Sequence, residues 1–528
     1  MLLVVLAFAT APLAWSQSAD TILVNGKILM VDARFSTREA IAIRDGKILS
    51  VGSNVEVRKQ AGPQTRVIDL QDRTVIPGLI DSHIHAIRAG QTFTTEVNWV
   101  GATSIAEAMN RIHEAALAKK PGSWLVVAGG WQPEQFKEKR RPTQADLVAA
   151  APDNPVYVQH DYDWEVMTPA GFKAMGIASE SDLPRPGKLE RDADGKPTGA
   201  IEDGAGFAVA IALFDKLPHP TFEEQVAGTK KFFREMNRLG VTGVGDPGGN
   251  NLNPENYQPL FQVWRAHQLT LRIAYSLCGP TPGKELEELK TLTQMLPQDF
   301  GDDLLKFNGI GERITWAMNN NDHPTADEKE KYYQIVRWAA QRGMPVTMHW
   351  PKDESADELL SIYERVNGEF PIAGLRWSVA HLTNASTQNL QRMKAMGVGW
   401  TIQRPEAASV ENAKELGVNM GAGTDAHRVA SYNPFTTFKW LLVDSKSSGG
   451  AQREDALRAY TIGSAWFSFD ENKRGSLEPG KLADLAVLSK DYMTAPVDQI
   501  ETIESLLTMV GGKIVYAAAP YAKFEDPR

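Results

Sequence analysis

Eight short apolar runs, spaced by helical patterns, constrain this chain of 528 residues more than any other feature. They are Val75–Ala86, Val241–Asp246, Leu271–Leu277, Leu304–Gly309, Pro345–Trp350, Leu375–His381, Gly397–Ile402 and Asn419–Asp425. Amphipathic segments lie between them, around Phe222 to Leu239 and Ala326 to Arg342 among others. Strands that alternate with helices pair in parallel through crossover connections, and eight of them close most economically into a ring. The expected fold is therefore α/β, a (β/α)8 TIM-like barrel.

The two ends of the chain have a different texture. Asn25-Gly26 and Asp45-Gly46 are tight-turn signals between β-rich runs, and similar runs return at Ala483–Leu488 and Ser505–Tyr516. These predict a small β-sandwich domain built from both termini, residues 17–77 and 475–528. The barrel occupies 78–474. About 150 residues separate its first two strands, too many for one connection, so a mouth insertion is expected at about 100–215. Residues 1–16 form an apolar run ending in Ala14-Trp15-Ser16, a small-x-small pattern that reads as a signal peptide too short to span a bilayer. Secretion or a periplasmic location follows, with no membrane span in the mature protein.

Chemistry is expected where the strands end. His83 and His85 are one residue apart at the close of the first run, and on a strand both would face one side. His349 closes the fifth run, His381 the sixth and Asp425 the eighth. Barrels of this type carry their active residues at the C-terminal ends of the strands. Four imidazoles and a carboxylate gathered there make a site for a divalent metal. Zinc suits it best, with manganese, iron or cobalt as the other choices. Lys306 is read as ending the fourth strand in the same way, where a buried lysine needs a partner or must lose its charge.

Together these residues resemble the amidohydrolase superfamily. The likeness extends to Gly475–Leu485, similar to that family's return into its β-sandwich, and the insertion with Gly130-Trp131 and Pro142-Thr143 looks like the YtcJ-like branch. The resemblance implies one or two metal ions on His83, His85, His349, His381 and Asp425, with Lys306 carboxylated as a bridge between them. It also implies that Asp425 takes a proton from a metal-activated water and delivers it to the leaving group. This sequence departs from the branch in reading Asn308-Gly309 after the lysine, and in Asp163 where a histidine is common, with His160 close by.

The activity so implied is metal-dependent hydrolysis of an amide, carbamate or related C–N bond. The alternatives are an isomerase or lyase on the same barrel, or a catalytically inactive secreted binding protein. Trp131, Trp164 and Trp350, with Trp99, fall in or near mouth loops and suggest a partly apolar substrate pocket, to which His160, Asp163 and His427 are the polar candidates. A net charge of −9 argues against nucleic acid as a partner, which leaves a small-molecule substrate and, as an open question, a second copy of the chain. The single cysteine, Cys278, excludes an internal disulfide and reads as a small buried hydrophobe.

Overall fold

The computed structural model describes residues 18–202, 208–249, 252–318, 323–443 and 450–527. The proposed signal peptide lies outside them. Eight parallel strands form the centre: β1 Leu79–Asp81, β2 Val241–Asp246, β3 Arg272–Leu277, β4 Leu305–Ile310, β5 Thr347–His349, β6 Ser378–Ala380, β7 Gly399–Ile402 and β8 Met420–Ala422. β1 to β4 pair in sequence order, as do β5 to β8. A parallel bridge between Ile310 and Val346 joins the two sets on one side. On the other side the Ser82 N–H donates to the Ala422 carbonyl at 3.0 Å, and the Asp425 N–H to that of His83 at 2.8 Å. The eight strands are thus linked in a cycle.

Before each strand from β2 to β8 a helix returns the chain: Phe222–Arg238, Gln258–Arg265, Glu285–Leu292, Ala326–Gln341, Ala356–Glu369, Thr387–Met396 and Ala407–Leu416. Their starts follow local chemistry. Thr221 and Thr325 each cap the first turn reciprocally with a glutamate three residues on, which satisfies two backbone donors that a helix start leaves open. Phe232, Phe233 and Met236 face inward at helical spacing and join one continuous core with the strands.

The terminal segments form two sheets. One holds Lys47–Gly52, Ala40–Arg44, Ala19–Val24 and Ala61–Asp69; the other holds Lys513–Ala517, Ser505–Val510, Leu485–Leu488, Thr74–Pro77, Lys27–Leu29 and Thr37–Arg38. A shared apolar core, with Leu23, Ile41 and Ile68 from the first and Ile28, Leu485 and Met509 from the second, holds them together. Within the second sheet Thr74–Pro77 pairs antiparallel with Leu485–Leu488, so the two ends of the chain are hydrogen-bonded to each other.

The segment between β1 and β2 builds a five-stranded sheet of its own, in the order Lys188–Arg191, Pro197–Glu202, Trp164–Met167, Val156–His160, Leu125–Val127. It packs two separate apolar clusters. Its contact with the segment after β8 is close: Gly129 (φ +123°) leaves so little room that a β-carbon there would lie 2.0 Å from the Arg428 carbonyl oxygen. The Gln132 side-chain amide also donates to the Val429 carbonyl at 2.9 Å. Among the described residues no helix is long and apolar enough to cross a membrane.

Candidate metal centre

The first ligand pair is not carried on a strand. β1 stops at Asp81, and His83 and His85 follow in irregular backbone, with His85 heading the helix Ala86–Thr92. The two imidazoles still converge because hydrogen bonds fix the turn. The Asp81 carboxylate accepts the His83 N–H at 3.1 Å and the Thr424 hydroxyl at 2.7 Å, tying the ends of β1 and β8 together. Burial pushes its pKa up to about 7 against those hydrogen bonds. His85 Nδ1 lies 2.8 Å from the Gly248 carbonyl, which can only accept. The proton therefore sits on Nδ1, and the Nε2 lone pair points into the site. Asp246 shapes that loop by accepting the N–H groups of Gly248 (3.0 Å) and Ile87 (2.8 Å). Gly249 lets it pass, since a β-carbon there would lie 2.8 Å from His85 Cε1.

One carboxylate organises the rest. Glu312, two residues past β4, reaches His83 Nε2 at 3.1 Å, His85 Nε2 at 3.2 Å, His349 Nδ1 at 3.3 Å and His381 Nε2 at 3.0 Å. Asp425 lies 3.7 Å from His83 Nε2, 3.3 Å from His85 Nε2 and 3.6 Å from His381 Nδ1. His381 and Asp425 both hold left-handed backbone, φ 71° and 56°, a cost for non-glycine residues that is commonly found at functional sites. Burial opposes charge on both carboxyls, yet the surrounding histidines outweigh it and hold both below the usual carboxylate range. Burial and Arg88 likewise oppose a charge on His85, but with no cation in the site its contacts with Asp425 and Glu312 win and push its pKa up to about 10, through a second proton on Nε2 that a metal there would displace.

The donor set fits a divalent cation. His83 is fully buried, and neither of its ring nitrogens makes a hydrogen bond. Two trios, His83–Glu312–His381 and His83–His85–Asp425, each have their ligand atoms within 4.8 Å of one another. Imidazole lone pairs aimed at carboxylate oxygens repel unless a cation lies between them. Above the cluster opens a cavity of about 460 Å³, lined by His85, Glu312, His349, His381 and Asp425 at its base.

Lys306 is elsewhere, which corrects the expectation that it bridges the metals. It is the second residue of β4, at the N-terminal end of the strand. Its ammonium donates to the Ser468 carbonyl at 2.5 Å and to Asp470 at 2.9 Å. Asp470 also accepts from Arg474 at 2.9 Å, so Lys306, Asp470 and Arg474 form one ion-paired cluster. Glu312 stands among the four histidines, where the carboxylated lysine was expected. In the fold His83 and Glu312 each lie two residues past the end of their strand, and Asp425 three past β8.

The expected substrate-binding residues divide. Asp163 lines the cavity, and His160 sits beside it at 3.3 Å. Trp131 and Trp164 are buried in the core of the insertion, where Trp131 Nε1 donates to the Gln159 carbonyl, and Trp350 lies in the central core. His427 is buried 3.6 Å from Glu96. None of these four lines the cavity. The aromatic side chains lost the surface to packing because each fills a large volume in an apolar cluster. Sequence reasoning missed Arg88, Asp161, Tyr162, Arg313, Gln403 and Arg404 on the cavity wall.

Comparison with known proteins agrees with this architecture. A model of the amidohydrolase family matches residues 66–516. The N-substituted formamide deformylase of Arthrobacter pascens is 24% identical over 547 aligned positions, covering 95% of this chain and 99% of that protein. YtcJ of Bacillus subtilis, named as an amidohydrolase, is 23% identical, covering 90% of this chain and 96% of its own. Among solved structures, an uncharacterised metal-dependent hydrolase of Pyrococcus horikoshii shares the fold with a TM-score of 0.60 at 21% identity, over 90% of this chain and 99% of that one.

Proposed function

This chain belongs to the amidohydrolase family, and we propose that it hydrolyses an amide, carbamate or related C–N bond of a small molecule with the help of a divalent metal. The observation that carries this reading is the convergence of four histidines and two carboxylates on the base of one cavity. We read the cycle of eight strands as a (β/α)8 barrel over residues 78–474, and the two terminal sheets as a β-sandwich of 17–77 and 475–528.

His83, His85, His349, His381, Glu312 and Asp425 would hold one or two ions, zinc first by donor type. When bound, the ion supplies Lewis acidity that lowers the pKa of water and polarises a carbonyl. The chain's own residues do the rest. The carbonyl of Gly248 fixes His85 in the tautomer that offers its Nε2 lone pair. Asp425 is ionised at neutral pH, touches the ligand histidines and lines the cavity, so its carboxylate can accept a proton from water and return it to the leaving nitrogen. The amide nitrogen is a poor leaving group until that proton arrives. Gln403, whose side-chain oxygen accepts the His381 N–H at 3.2 Å, holds the β6 end in place.

The deformylase relative by its name acts on N-substituted formamides, which makes simple N-formyl and N-carbamoyl amines the substrates to try first. The experiment is turnover of such a panel by metal-loaded protein, with products weighed by mass spectrometry. Products totalling substrate plus one water support hydrolysis; an isomeric product of unchanged mass, or elimination without water, contradicts it.

A further inference from the structure

The insertion contributes one wall of the cavity, and the reaction above does not use it. Val156–His160 and Trp164–Met167 pair antiparallel as far as His160 and Trp164, so Asp161, Tyr162 and Asp163 form the turn of a hairpin, and all three line the cavity. The turn is held from beneath. The Gln159 side-chain amide donates to the Asp161 carbonyl, and the Tyr157 hydroxyl donates to Gln159 at 3.3 Å. Asp161 takes left-handed backbone there, φ 51°, which aspartate and asparagine tolerate better than other side chains. From the barrel side Arg404, two residues past β7, lines the same cavity.

The carboxylates that line the cavity differ in what they already serve. Glu312 and Asp425 are engaged with the histidines, and Asp163 with Arg141 at 3.5 Å and His160 at 3.3 Å. Asp161 accepts the Tyr162 N–H and, among the described residues, makes no ion pair. Burial, then Asp163 and Asp425, push its pKa up to about 6, and Arg404 is the cation that works against them. Arg404 is exposed, with its guanidinium 5.5 Å from the centre of the Trp440 ring, and it too makes no ion pair among the described residues. Asp161 and Arg404 thus feel each other's charge without touching. A ligand that carries both opposite charges close together can bridge such a pair. An α-amino acid head does so: its ammonium offers three donors to a carboxylate, and its planar carboxylate accepts two parallel N–H groups from a guanidinium. A plain cation would leave Arg404 unanswered, and a plain anion would add to the repulsion at Asp161.

We propose that this wall holds a zwitterionic α-amino acid head, its ammonium on Asp161 and its carboxylate on Arg404, and that the bond cleaved is an amide on the side chain of that amino acid. This rests on the hydrolase reading and names its substrate class, a side-chain-acylated amino acid such as an Nδ-acylornithine. The chain between head and amide is short, because Asp161 is close enough to Asp425 for the two charges to repel. A cavity of about 460 Å³ takes a molecule of this size.

The test is calorimetric binding of three uncleavable sulfonamides to metal-loaded protein. They are Nδ-methanesulfonylornithine, 5-(methanesulfonylamino)pentanoate, which lacks the ammonium, and N-methanesulfonyl-1,4-diaminobutane, which lacks the carboxylate. The sulfonamide resists hydrolysis and is common to all three, so any contact it makes with the metal cancels. The ornithine compound is expected to bind at least about ten-fold tighter than either truncated one, as one charge-assisted contact allows. Asp161→Asn, which suits the same left-handed backbone, should bring the preference over the pentanoate below about three-fold and keep the preference over the diaminobutane. Arg404→Gln should do the reverse. Equal binding of the three by the parent overturns the proposal. So does any pattern in the variants that is not crossed in this way, because the charges are then held elsewhere. The crossed pattern without cleavage of Nδ-formylornithine or any other amide would leave the head site standing and reject the hydrolase reading. Cleavage of amides that lack the head, beside equal binding of the three probes, would do the opposite.

Discussion

Replacing Glu312 by glutamine keeps the shape of the side chain and removes one anionic donor from the centre of the ligand set. In the parent, its two oxygens lie 3.0 to 3.3 Å from nitrogens of four different histidines. Each of those nitrogens would meet a neutral amide in the variant, and the amide NH2 cannot ligate. Loss of a residue that merely supports a ligand lowers metal affinity by about 10- to 100-fold. Loss of a direct anionic ligand should therefore cost at least about 100-fold, or roughly 3 kcal/mol. Equilibrium dialysis against zinc buffers, with bound metal counted by plasma mass spectrometry, measures this directly. Lys306→Ala, run beside it, should bind zinc like the parent. A Glu312→Gln variant of parental affinity, paired with a Lys306→Ala variant that loses metal, would refute the assignment of the anionic ligand.

Other outcomes follow from the same geometry. Asp425→Asn should retain most of its metal and lose on the order of 10² to 10⁴ in turnover of an amide, measured under saturating substrate; near-parental turnover would place the proton shuttle elsewhere. Lys306→Ala should lower stability by about 1 to 3 kcal/mol in chemical denaturation, less than a fully broken buried pair because Arg474 still neutralises Asp470. For Asp470, burial opposes the charge, but Arg474 and Lys306 outweigh it and lower the pKa. A depressed carboxyl stabilises the fold above its unfolded pKa and loses that contribution as pH falls through the folded value, so Asp470→Asn should flatten the decline in melting temperature below about pH 4. Protein recovered from its native cells should begin near Gln17 by N-terminal sequencing, and an intact Met1 would contradict export.

The order of the eight strands was legible because each is apolar and each is followed by helical periodicity. The four histidines and Asp425 were legible because ligand-type residues stand out at the close of such runs. What failed was register on the fourth strand. Lys306 is apolar-flanked and looks buried, but strand length decides which end a residue occupies, and β4 runs on to Ile310. Glu312 then falls beyond the apolar run, in Gly311-Glu312-Arg313, where a lone glutamate resembles any polar loop residue. The tryptophans misled for a related reason. Composition could mark them as large apolar groups near the mouth, but only the folded insertion shows that its own core consumes Trp99, Trp131 and Trp164. Asp161 and Arg404 were hidden in turn, because they come from two connections that sequence cannot bring together.

Anomalous diffraction at the metal absorption edge, from crystals of the metal-loaded protein, tests the central claim most directly. The account predicts one or two peaks among His83, His85, His349, His381, Glu312 and Asp425, with metal–nitrogen and metal–oxygen distances of about 2.0 to 2.2 Å for zinc. A peak beside a carboxylated Lys306, or no peak within reach of Glu312 in protein shown to contain metal, would contradict it.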